Sequence, residues 1–119
     1  MRLPMALCGA LLCSGLVQVV AAQDAVKADP KHYTVVSEND QVRVLKVHYG
    51  PHEKSVMHSH PNSVAVPLTD STAEFTLPDG KKQSMTMKAG EAQFTPGSTH
   101  LPENAGDKGM DLILVELKK

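Results

Sequence analysis

Short runs in which apolar and polar residues alternate, each broken by turn residues, recur from Tyr33 to Leu117, and no segment carries the period of an amphipathic helix. That pattern confines the chain to an all-β fold. Strands are expected over 33–36, 42–49, 56–60, 64–68, 73–77, 84–88, 91–95 and 110–117, with turns at 37–40, 50–53 and 78–81. About eight or nine short strands in one small chain give a sandwich or barrel with closed or protected edges. The stretch 23–28, ahead of Asp29-Pro30, reads as a loose arm or an edge strand. No internal repeat or low-complexity tract is visible.

Residues 1–22 hold one cation, Arg2, then a mostly apolar run, then Val20-Ala21-Ala22. This is the pattern of a signal peptide cut before Gln23, and it places the mature protein in the periplasm or outside the cell. A retained membrane anchor is the weaker reading, because Pro4, Gly9, Gly15 and Gln18 interrupt a run that barely reaches the ~20 apolar residues of a span. The remaining layout is an arm with the first strand over 23–41 and the barrel over 42–119. Both cysteines, Cys8 and Cys13, lie in the leader, so a mature chain has neither disulfides nor thiolate ligands. A cysteine-free domain of this size stands on one thin core and gains from association into a homodimer. Without the leader, 11 basic residues face 13 acidic ones, a formal charge of −2. No basic stripe remains for nucleic acid, and no membrane contact is expected after cleavage.

His58-Ser59-His60 and Gly90-x5-Pro96-Gly97-Ser98-Thr99-His100-x3-Asn104 carry the chemistry. Two histidines two apart on a strand project to the same side of the sheet, so both imidazoles can reach one ion. His100, returned by the Pro-Gly turn, would complete a facial set that leaves positions open on the metal. His32 and His48 read as ordinary structural or surface histidines, and Met85 and Met87 as core filler in preference to sulfur ligands for copper. With no tryptophan and only Tyr33, Tyr49, Phe75 and Phe94, the chain lacks the stacking platforms of a sugar-binding barrel.

The two histidine segments and the strand order resemble the two motifs of the cupin superfamily, over most of 42–117. The second motif matches at Gly90, Pro96, His100 and Asn104, with Pro96 to His100 one residue short. The first departs from the pattern at three places. His52 stands where the family has glycine, Val64 or Ala65 where it has a metal-binding glutamate, and Ser71 or Thr72 near its closing glycine. The resemblance implies an antiparallel jelly-roll barrel with a divalent metal on His58, His60 and His100, similar to the three-histidine cupins that include ferrous thiol and diketone dioxygenases. Iron is the metal implied by that likeness; zinc or copper is favoured by the affinity order of nitrogen ligands, and manganese and nickel stay open.

Three neutral imidazoles leave the ion its full charge, so the site is expected to take a small anionic or enolisable ligand. Val64 in place of the glutamate would dry its floor. Glu103 is expected to point away from His100 by strand parity, and His52 to sit at the rim; in an enzyme, one of them would assist proton transfer. A dioxygenase-like oxidoreductase and a non-catalytic binding module of the cell envelope are the two functions this sequence supports.

Overall fold

The computed structural model describes residues 23–119, and the leader expected over 1–22 lies outside them. Among the described residues no helix is long and apolar enough to cross a membrane. Among the described residues nine strands form two antiparallel sheets, the all-β barrel anticipated from the alternation. β1 (Tyr33–Glu38), β2 (Val42–Tyr49), β9 (Met110–Leu117), β4 (Ser63–Pro67) and β7 (Gln93–Thr95) make a five-stranded sheet in that spatial order. β3 (His58–His60), β8 (Ser98–Asn104), β5 (Ser71–Thr76) and β6 (Lys82–Met87) make the other.

The core follows from strand parity. Leu45, Val47 and Tyr49 of β2 stand opposite Leu114, Leu112 and Met110 of β9, and all six are buried. Removing such side chains from water stabilises the fold by about 1.5–3 kcal/mol each. Two charged residues continue these inward rows: Arg43 pairs with Glu116 in the same register. Tyr33 closes the core from β1, its hydroxyl 2.6 Å from that of Tyr49.

Two segments differ from the sequence expectation. The arm is not loose. Asp24 caps a single turn, α1 (Ala25–Ala28), whose Ala25 is fully buried, and Ser59 N–H donates to Gln23 O at 2.9 Å. Residues 98–104, expected as no strand, form β8. Its inward residues are His100, Pro102 and Asn104, which no apolar alternation reveals.

The turn at Gly50–Glu53 closes with Glu53 N–H donating to Gly50 O, and His52 adopts φ 58°, the left-handed conformation glycine favours. A non-glycine residue holds this conformation at a cost of ~1 kcal/mol. His52 also pairs with Asp107, but both side chains are exposed and the pair contributes little. His52→Gly is therefore expected to raise the melting temperature by a few degrees and leave metal content unchanged. A melting temperature at or below the parent's would show that the turn is unstrained.

Candidate metal centre

β3 and β8 pair with His58 directly opposite His100 and His60 opposite Ser98, so alternation turns all three imidazoles to the inner face. Their ring centroids lie 4.8–5.2 Å apart, and one nitrogen from each falls within 4.8 Å of the others. Gly97 makes this approach feasible. A Cβ there would meet His60 O at 3.3 Å, and Gly97 N–H donates to Asn62 Oδ1 at 2.8 Å, seating the Pro-Gly turn on the β3–β4 connection.

Hydrogen bonds to Nδ1 decide which nitrogens face inward. His58 Nδ1–H donates to Val56 O at 2.8 Å, and His60 Nδ1–H donates to Glu116 Oε2 at 2.9 Å. Both acceptors are carbonyl or carboxylate oxygens, so Nδ1 carries a proton in each ring and Nε2 is the nitrogen left to face inward. Nε2 of His58 and of His100 are buried without a hydrogen-bond partner. Buried polar atoms are rarely left unpaired, and here the orphans point into one cluster of nitrogen donors, which suits a divalent ion. A divalent ion held there would be ligated by His58, His60 and His100 and would supply Lewis-acid chemistry.

Burial, reinforced by the neighbouring His60, holds His58 down to about 4; burial and both neighbours hold His100 down to about 3. Both rings are therefore neutral, ligand-competent imidazoles at neutral pH. The linkage has a defined sign: from about 6.5 down to 3–4 the unfolded chain takes up protons that the folded histidines refuse, so stability rises with pH across that window. Metal-free protein is expected to melt at a steady temperature above pH 7 and at falling temperatures from pH 6 to 4. His100→Gln should flatten that acid fall, and an unchanged profile would contradict the neutral, buried placement of this ring.

Sequence reading missed the charged groups behind the histidines. Glu116 is 2% exposed and lies between His60 and Arg43, whose Nε donates to Glu116 Oε1 at 2.7 Å. Arg43 in turn is ion-paired to Asp24 at the start of the arm. The signal was present: Glu116 extends the inward row Met110, Leu112, Leu114, and Arg43 the row Leu45, Val47, Tyr49. Behind His58, Ser55 Oγ lies 3.3 Å from Nδ1 and donates to Asp29 Oδ2 at 2.5 Å, which also holds His32 Nδ1 at 2.6 Å. His32 stacks on Tyr49 at 4.2 Å and is structural, as expected. His48 is exposed beside Asp111.

The structure corrects the placement of the missing glutamate. Ser63 and Ala65 stand opposite Glu116 and Leu114, on the inner face, whereas Val64 stands opposite Val115 and faces outward. Ala65, not Val64, lines the interior, because the Pro61-Asn62 turn resets the parity between β3 and β4. Glu103 lies on the opposite face of β8 from His100, as parity required, and His52 is held at the surface by Asp107. Neither lines the interior, so neither is placed to move a proton there.

Between the sheets a cavity of about 320 Å³ has His60 and His100 in its wall. Its other walls are mainly apolar, including Phe75, Met85, Met87, Leu112 and Leu114. Met85 and Met87 thus border this space instead of only filling the core. Phe75 stacks on His100 with centroids 4.7 Å apart.

No protein-family profile matches the chain, and no curated protein matches it. Solved structures do. A cupin domain from Bordetella pertussis is 25% identical with a TM-score of 0.68, covering 73% of this chain and 92% of its own. A Klebsiella pneumoniae protein with a double-stranded β-helix domain is 24% identical with a TM-score of 0.58, covering 72% and 75%. A polyketide cyclase from Streptomyces resistomycificus is 18% identical with a TM-score of 0.53, covering 73% and 64%. Taken with the two-sheet topology and the paired histidine strands, these likenesses show that the chain has the cupin fold, with three histidines that can hold a metal ion and no carboxylate among them.

Proposed function

We propose that this is an exported metalloprotein in which Nε2 of His58 and His60 and a ring nitrogen of His100 hold one divalent ion, and that it acts as a dioxygenase-like oxidoreductase on a small anionic or enolisable molecule. The observation that carries the reading is the pair of buried, unpartnered imidazole nitrogens beside a largely apolar cavity. A bound ion supplies a Lewis acid with open positions for an anion and a second small molecule. The chain's own residues do the rest. Val56 O and Glu116 fix the tautomers of His58 and His60, Phe75 seats His100, and the apolar walls exclude water. Iron suits oxygen chemistry, while zinc and copper are favoured by affinity for nitrogen ligands in an exported protein.

A non-catalytic binding module is the second reading. It is favoured by a specific observation: neither Glu103 nor His52 reaches the cavity, so they supply no acid or base there. Oxygen consumption by iron-loaded protein with enolisable and thiol substrates separates the two. Turnover that is lost in His60→Ala supports the oxidoreductase. Saturable ligand binding with no oxygen uptake on any substrate would contradict it and leave the binding module.

A further inference from the structure

The walls of the cavity say more about its ligand than the histidines do, and the geometry points to an aryl compound that carries a single negative charge in an oxygen chelate at one end and is otherwise neutral. This rests on the metal reading above and narrows it. Among the described residues, those lining the cavity include no Asp, Glu, Lys or Arg. Glu116 lies behind His60 and is already committed to Arg43. A ligand with one anionic end finds the ion. A second charge, whether the ammonium of an amino thiol or the distal carboxylate of a dicarboxylate, would be buried without a partner, at a cost that few contacts offset.

The apolar part is recognised by soft, flat surfaces. Met85 and Met87 come from β6 and Met110 from β9, so methionines of both sheets line the space. Sulfur packs well against aromatic rings, and unbranched methionines adapt to a ring's edges. Phe75, already stacked on His100, supplies a third wall beside the ion's ligands. The volume of about 320 Å³ is roughly twice a cavity that holds benzene, which is room for one ring with a chelating arm. Where the cavity opens, Gln83 and Gln93 on the edge strands β6 and β7 are exposed and present neutral amides. They can hydrogen-bond an uncharged hydroxyl or carbonyl at the far end of the ligand.

The test is a binding panel on zinc-loaded full-length protein, with metal content measured on the same samples. The probes are benzoylacetone, acetylacetone with the same chelate and no ring, oxaloacetate with a second charge, and cysteine. Benzoylacetone is expected to bind at least tenfold more tightly than acetylacetone, with oxaloacetate and cysteine weaker than both. Met85→Ala should weaken benzoylacetone about tenfold and leave acetylacetone unchanged; the ranking on the parent needs no variant. Metal-loaded protein that binds cysteine or oxaloacetate as tightly as benzoylacetone, or that does not distinguish the two diketones, overturns this inference alone. Parent protein that retains no metal overturns the metal reading and this inference with it.

Discussion

Replacing Glu116 by Ala is expected to remove about 3–5 kcal/mol of stability, because the substitution leaves the Arg43 guanidinium without its inner partner and His60 Nδ1–H without an acceptor. Domains of this size hold only about 5–15 kcal/mol in total, so the variant should melt more than ~12 °C below the parent. Metal affinity should fall roughly 10–100-fold as the His60 ring loses its fixed tautomer. Glu116→Gln separates the two effects. Its carbonyl oxygen still accepts from His60, so metal affinity should stay near the parent's, while the amide cannot pair with Arg43 and stability should fall. Thermal melts and metal titrations on both variants check this. A Glu116→Ala protein within a few degrees of the parent, with unchanged affinity, would show that the buried pair neither stabilises the fold nor orients the histidine.

The second large effect is expected at Asn104, which is fully buried where β8 ends. Its Nδ2 donates to Lys108 O at 2.7 Å and Gly50 O at 3.0 Å, and its Oδ1 accepts from Gly106 N–H at 3.0 Å. One side chain thus ties the β2–β3 turn to the β8–β9 loop. Asn104→Ala strands Lys108 O and Gly106 N–H, each worth about 1–3 kcal/mol when left unpaired, and leaves Gly50 O only the Glu53 N–H, so a loss of about 3 kcal/mol is expected after partial relaxation. Asn104→Asp keeps the volume and the acceptor but turns an oxygen toward two carbonyls, so it should be no better. Both variants should still bind one metal below their melting temperatures, because the tie lies beyond His100. Asn104→Asp melting like the parent would show that the donor bonds do not matter.

Some of this molecule was legible before its structure and some was not, for physical reasons. β2 and β9 match their expected limits because burial alternates along them, from Leu45 to Tyr49 in β2 and from Met110 to Glu116 in β9. The histidine pair on β3 could be read for the same reason, since a period of two needs no knowledge of neighbours. β8 was not read as a strand because its inward face carries His100, Pro102 and Asn104 in place of apolar residues; the positions that build the site break the pattern that announces a strand. Arg43 and Glu116 each extend an inward row that the sequence shows, but that the two pair could be seen only once β2 and β9 were in register. The error between Val64 and Ala65 is one of counting through a turn: parity holds along a strand and is lost across Pro61-Asn62. The order of the arm is not legible because a single helical turn is too short for any periodicity, and contacts with β1 and β3 and the Asp24–Arg43 ion pair fix it.

The central claim is that His58, His60 and His100 together hold one ion. The direct measurement is the metal content of parent, His58→Ala, His60→Ala and His100→Ala proteins after equilibration with a divalent metal and removal of the excess, with circular dichroism to confirm that each is folded. A cupin barrel does not depend on its ion for a core as a zinc finger does, so the folded variants are expected to lose stoichiometric metal while the parent retains one equivalent. Equal metal content in the parent and the three variants, or a folded parent that retains none, would contradict the account.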